Sequence, residues 1–228
     1  MDCPFPSVTR TTSKMNSRTA LKSLSIKDEV DKIKRLRILN EAVVQFFDNG
    51  YESTSLESIA DALGVTKQFI YSRFSSKVEL LVSICRVGAS AADMAVSYGA
   101  ALEGDAASKL ARVIQYFVGL QIENRREVAL FFREAKSLPA GEDVAIETTK
   151  RNFHRMLCNI LNQGKDAGQF QFDDSSLAAS ALGGMASWTF TWFQPEGRWD
   201  SGSVASQLAS LALRTVGVSD PSPYLSAD

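Results

Sequence analysis

Apolar residues recur along this chain with the period of a helix, and almost nowhere with the two-residue alternation of a strand. Ile38, Leu39, Ala42, Val43, Phe46 and Phe47 fall on one side of a helix predicted over about 26–49. Asn49-Gly50 ends it, since glycine takes the left-handed conformation that closes a last turn. Thr54 and Glu57 stand in capping-box spacing and open a second helix that stops at Leu63-Gly64. A short helix follows over Thr66–Phe74. Ser76 and Glu79 form another capping box, at the head of a long helix reaching about Ala101. Further helices are predicted over 106–124, over 127–137, in a long stretch that follows a connection starting at Pro139 and ends near Gly168, over 173–193 and over 203–216. The pattern therefore gives an all-α chain of about nine helices, with an end at 219–228 expected to fray.

The segment Leu56–Phe74 is the most informative. A helix-turn-helix needs two short helices crossing steeply at a tight turn. Ala60 is small where the helices meet, and Gly64 supplies the positive φ of the turn without a Cβ clash. Ile59, Leu63, Val65, Ile70 and Phe74 are apolar at core spacing. The outer face of the second helix is left to Lys67, Gln68, Tyr71 and Ser72, with Thr66 at its start. Such groups hydrogen-bond base edges and phosphates in a major groove. Gln68 is the best candidate for reading a base, because its amide bonds adenine twice. Lys67 suits a guanine or a phosphate, while Tyr71 and Lys77 suit phosphate. Thr54, at the expected start of the preceding helix, suits a phosphate as well. A solvated polar face explains any one of these residues. The coincidence of turn, core spacing and polar face within one short segment favours DNA.

Charge sharpens this modestly. The formal net charge is −1, yet residues 1–86 hold 13 Lys/Arg against 10 Asp/Glu, and residues 87–228 hold 12 against 16. The basic excess lies with the expected DNA reader. Residues 1–27, with Arg10, Lys14, Arg18 and Lys22 among Ser and Thr, read as a disordered basic tail without the apolar stretch of a secretory signal. Cys3, Cys85 and Cys158 have no metal-ligand or redox spacing, as expected of reduced cytoplasmic thiols. No run approaches 18 apolar residues, so no membrane span is expected.

Ile38-Leu39, Phe46, Gly50-Tyr51, Thr54, Ile59-Ala60, Gly64-Val65-Thr66-Lys67, Ile70-Tyr71, Phe74 and Ser76-Lys77 through Leu80 together resemble the DNA-binding domain of TetR-family regulators in order and spacing. Tyr71, Phe74 and Lys77 carry the most specific part. The resemblance implies that Thr54, Tyr71 and Lys77 hold phosphates and that Thr66, Lys67, Gln68 and Ser72 face the groove. Gln68-Phe69, Ser72-Arg73 and Gln45 depart from the usual pattern, which bears on the operator sequence rather than the fold. The chain then divides into a tail (1–27), a helix-turn-helix domain (28–81), a helical effector-binding and dimerisation domain (82–218) and a frayed terminus (219–228).

By the same resemblance the protein is a cytoplasmic homodimeric repressor. It pairs through its last two helices and is released from a palindromic double-stranded DNA operator by a small effector. Small residues from Ala178 to Ala186 fit close helix packing at such an interface. Trp188-x-x-x-Trp192-Phe193 with Pro195-x-Gly197-Arg198, and Gly164-x-x-x-Gly168-x-Phe170, resemble the branch that senses acyl-CoA thioesters. Phe117, Phe131, Phe132, Met156, Trp188 and Trp192 are the candidate effector contacts, and Arg112, Arg125, Arg126, Arg133, Arg151 and Arg155 are available for CoA phosphates. A multidrug-cation sensor is the rival reading and needs buried acids such as Glu123 or Glu134.

An enzyme or an all-helical adaptor is the alternative outside the regulator class. His154 is the one histidine, with Lys150 and Cys158 at four-residue spacing, too few groups for a metal site. There is no nucleophile elbow, phosphate loop or dinucleotide fingerprint. No cofactor, metal or catalytic residue is expected. An adaptor leaves the Thr66–Ser72 face unexplained.

Overall fold

A computed structural model describes residues 26–225, and these are helical with no strand. The helices are α1 (Ile26–Asn49), α2 (Leu56–Leu63), α3 (Lys67–Tyr71), α4 (Lys77–Ala101), α5 (Ala106–Glu123), α6 (Arg125–Glu134), α7 (Glu142–Asp166), α8 (Ser175–Ser187), α9 (Thr189–Trp192) and α10 (Ser201–Thr215). The expected basic tail lies almost wholly outside the described residues.

Side-chain caps fix most of the boundaries. Ser76, Asp105, Asp174 and Asp200 each accept a hydrogen bond from the backbone N–H three residues on, satisfying a donor that the first turn leaves free. Asp200 starts α10 two residues earlier than the sequence pattern suggested. Asn124 separates α5 from α6, which begins at Arg125 rather than Glu127. The stretch expected as one helix over 173–193 is instead α8 and α9. Trp188 breaks the run, and the buried Thr189 hydroxyl donates back to the carbonyl of Ala186 at 2.8 Å.

Two apolar cores result. The N-terminal core joins Ile38, Ala42, Phe46, Ile59, Ile70, Phe74, Leu80, Leu81 and Ile84 from α1 to α4, and it also takes Leu130 and Phe131 from α6. The larger core is built on α5, whose Leu110, Ala111, Val113, Ile114 and Val118 are fully buried against α4, α7, α8 and α10. Helix α4 is long and apolar enough to cross a membrane by those criteria alone. Its apolar side instead runs through both cores, with Leu80, Leu81, Ile84, Cys85, Gly88, Ala91 and Ala95 buried. The expected fraying after residue 218 is not what the described part of that segment shows. Pro221 is buried, Tyr224 and Leu225 pack on the larger core, and the Gln115 amide donates to the carbonyl of Leu225 at 3.4 Å.

Candidate functional site

The turn between α2 and α3 is set by Gly64, at φ 65°, a region that disfavours any residue with a Cβ. The Val65 amide donates to the carbonyl of Ala60 at 3.0 Å, folding α3 back across α2 over the buried Ala60 and Ile70. Thr66 caps α3 by accepting from the Phe69 amide at 3.2 Å. Thr66, Lys67, Gln68, Tyr71 and Ser72 are all exposed, so the structure brings together the five residues expected to face a groove.

Their readiness for DNA differs. The Gln68 amide has no partner among the described residues and is free to read a base edge. The Lys67 ammonium pairs with the Glu57 carboxylate and lies 5.5 Å from the Tyr71 ring centre, so it must exchange partners to reach a guanine. The Ser72 hydroxyl donates to the Phe69 carbonyl and accepts from the Arg73 guanidinium. Phe69 lies beneath two cations, with Arg73 4.1 Å and Lys34 5.9 Å from the ring centre, and Arg73 pairs with Asp31 at 3.0 Å. The departures at Phe69 and Arg73 therefore tie α3 to α1 and leave the groove face to Gln68.

Two expected phosphate ligands turn inward. Thr54 does not cap α2; Ser55 does, in a reciprocal box with Ser58. Thr54 is buried, and its hydroxyl donates to the carbonyls of Gly50 at 2.9 Å and Gln45 at 3.2 Å. The Lys77 ammonium donates to the carbonyls of Tyr51 (2.9 Å), Glu52 (3.3 Å) and Thr54 (3.1 Å) and sits over the Tyr51 ring. It holds the α1–α2 loop against the head of α4. Gln45, the other departure, bonds the Ser58 hydroxyl and the Glu41 carboxylate, so a polar residue there is satisfied locally. Replacing Lys77 by Met should lower stability by about 1–3 kcal/mol, from loss of charge-assisted hydrogen bonds, as measured by urea unfolding.

A cavity of about 180 Å³ lies between α4, α5, α6, α7 and the end of α8. Phe117, Phe131 and Phe132, three of the candidate effector contacts, line it with Gly88, Ala89, Ala92 and Val128. Gln121, Thr149, Lys150 and Ser187 supply its polar groups. The other three expected effector contacts lie elsewhere. Met156 packs in the larger core, with its sulfur filling the space a Cβ on Gly99 would need. Trp188 and Trp192 are about half exposed at the surface, Trp188 in an aromatic cluster with Phe132 and Phe190. Neither Glu123 nor Glu134 lines this cavity.

A larger hollow of about 660 Å³ opens between α4, α5, α10 and Tyr224, lined by Arg112, Glu103, Glu123 and the stacked Tyr98 and Tyr116. It makes no contact with α6, the helix that adds Leu130 and Phe131 to the N-terminal core. The sequence reading missed the polar Gln121 inside the smaller cavity. The signal was there: Gln121 follows Val113 and Phe117 at four-residue steps along an apolar helix side.

Helix α6 links this cavity to the DNA reader. Phe131 lines the cavity and belongs to the N-terminal core. The Arg133 guanidinium donates to the carbonyls of Phe46 at 3.1 Å and Phe47 at 3.3 Å, near the end of α1. Arg133 and Arg126 both lie against the Phe47 ring.

Residues 38–84 match the family model for bacterial regulatory proteins of the tetR family, and residues 103–216 match a tetracyclin repressor-like C-terminal domain. The chain belongs to the TetR family. This TetR-family regulator is 26% identical over 184 residues to the transcriptional repressor KstR2 of Rhodococcus jostii, covering 79% of this chain and 89% of that protein. Among solved structures, PfmR of Thermus thermophilus is 30% identical with a TM-score of 0.71, covering 78% of this chain and 97% of that one. AibR, solved with isovaleryl coenzyme A and operator DNA, shares the fold at 24% identity with a TM-score of 0.66, over 78% of this chain and 97% of that one. The all-helical architecture, with a helix-turn-helix before a helical C-terminal domain, is that of the family.

Proposed function

We propose that this TetR-family protein is a cytoplasmic homodimeric repressor that leaves its operator when a short acyl-CoA enters the α4–α7 cavity. One observation carries the reading: Phe131 belongs at once to the cavity wall and to the core beneath the DNA-reading helix. A ligand that displaces α6 displaces the support of α1. Residues 28–81 serve as the reader and 82–218 as the sensor and dimerisation unit. Lys150 at the cavity wall, on leaving its pair with Glu147 at 2.9 Å, suits an anionic ligand, and among the described residues no acid lines that wall, which weighs against a cation. The solved complex of AibR with isovaleryl coenzyme A and operator DNA supports the ligand class.

The exposed faces of α8 and α10 support a dimer. Leu177, Ala181, Gly184 and Trp188 form an exposed stripe along and just past α8, and Gln207, Leu211 and Arg214 form one along α10. Two such pairs of helices pack as a four-helix interface. The dimer then presents two copies of α3 to half-sites about one helical turn, ~10 bp, or a multiple apart.

The direct test is a gel shift with DNA from upstream of the protein's own gene. Retardation that isovaleryl-CoA or its 3-hydroxy derivative reverses is the expected result; a shift indifferent to both esters would remove this effector class. Gln68→Ala should flatten discrimination between operator variants roughly tenfold at the base it reads, measured by competition binding.

A further inference from the structure

Three polar or charged side chains are buried among the described residues: Thr54, Gln121 and Thr189. Both threonine hydroxyls are hydrogen-bonded. Gln121 differs: it is 5% exposed, and its Oε1 has no hydrogen-bond partner among the described residues. It also lines the α4–α7 cavity, amid Phe117, Val128 and Phe131. An amide held unpaired among aromatic and aliphatic side chains is disfavoured, so a ligand that pairs it gains on binding.

We propose that Gln121 is the specificity-determining residue of the sensor and selects an acyl chain that carries a hydroxyl group. The inference rests on the acyl-CoA reading above. Rotation of an amide about its last bond exchanges its donor and its acceptor, so Gln121 offers both to the cavity. A hydroxyl is the compact neutral group that answers both, donating to Oε1 or accepting from Nε2. Size narrows the choice further. A cavity of about 180 Å³ corresponds to roughly six water molecules at ~30 Å³ each. A branched acyl group of five carbons and its hydroxyl fill it, and the CoA moiety stays outside, on the side of Lys150. A site built to pair a hydroxyl discriminates strongly against the analogue that lacks it, because the protein group is then left unpaired.

The test measures binding of two ligand pairs to the full-length protein by calorimetry. One pair is 3-hydroxyisovaleryl-CoA and isovaleryl-CoA. The other is benzyl alcohol and toluene, which suit a cavity of this order and carry no CoA. Wild type should prefer the hydroxylated member of each pair by about tenfold, and Gln121→Leu should abolish or reverse both preferences. Gln121→Leu should melt no lower than wild type, since it removes an unpaired polar group from apolar surroundings. If both esters bind equally well to wild type, Gln121 is not the selector although the acyl-CoA reading survives. If neither ester binds but benzyl alcohol is preferred in a Gln121-dependent way, the selector stands and the acyl-CoA reading falls. No preference within either pair overturns the proposal, and the wild-type measurement alone delivers that result.

Discussion

Changing Leu177 and Leu211 together to glutamate is expected to leave a folded monomer that binds a full operator at least ~10²-fold more weakly than wild type. The two leucines are 71% and 50% exposed on α8 and α10, so neither supports the fold of the single chain. In the proposed dimer both are buried against a second copy, and a carboxylate buried there without a partner is strongly unfavourable. A monomer can hold only one half-site at a time and loses the gain that comes from tethering two readers. Sedimentation equilibrium should show a single chain, circular dichroism an unchanged helix content, and a gel shift the lost affinity. A variant that stays dimeric and binds as before would place the dimer contact elsewhere on the surface.

The second large effect concerns one glycine. A Cβ at Gly88 on α4 would lie 2.7 Å from the carbonyl oxygen and 2.9 Å from the carbonyl carbon of Glu127 on α6. Those are backbone atoms within a helix, and they move only if the helix moves. Gly88→Ala should therefore destabilise by about 2–3 kcal/mol, near the top of the range for overpacking, with a fall of roughly 5–10 °C in melting temperature. Within a helix, alanine is ordinarily the better residue by about 0.5–1 kcal/mol. Gly119→Ala on α5, where a Cβ meets nothing within 4 Å, makes the control and should gain that amount. Opposite signs for the two substitutions, read by thermal unfolding, isolate the α4–α6 approach as the cause. Since Gly88 and Val128 both line the cavity, the variant should also lose operator affinity without any ligand. Unchanged affinity would argue that spacing between α4 and α6 does not control the reader.

The sequence pattern revealed the reader more fully than the sensor, for physical reasons. The α2–α3 turn is local: Gly64, Ala60, Ile70 and Phe74 lie close in sequence, and their spacing alone dictates the crossing. The outward residues of α3 follow from it, and five of the seven expected DNA contacts are exposed on or beside that helix. Thr54 and Lys77 turned inward because their partners are backbone carbonyls of the α1–α2 loop and, for Thr54, also of Gln45 on α1, and no side-chain spacing reports where a carbonyl points. The α8–α9 break rests on the conformation of Trp188 and the Thr189 hydroxyl, neither of which disturbs the apolar period. In the sensor, the cavity gathers residues from five helices far apart in sequence. Phe117, Phe131 and Phe132 were legible as apolar faces, whereas Trp188 and Trp192 looked like pocket aromatics yet face outward. Gln121 stood out only as a polar residue on an apolar stripe.

Leu130 and Phe131 complete a core that otherwise belongs to the first four helices, and this sets a limit on how this chain can be recombined. A chimaera joining residues up to Ala101 to the sensor of a relative would carry the whole DNA-reading surface. It would lack two of the side chains that fill the interior of its own reader, along with the Arg133 bonds to the end of α1. Such a hybrid would need the foreign α6 to supply a matching pair of apolar residues at the same height. Reader and sensor here are therefore not interchangeable cassettes: the seam at which they can be recombined runs through α6, well downstream of the 81/82 boundary, inside α4, that the sequence suggests.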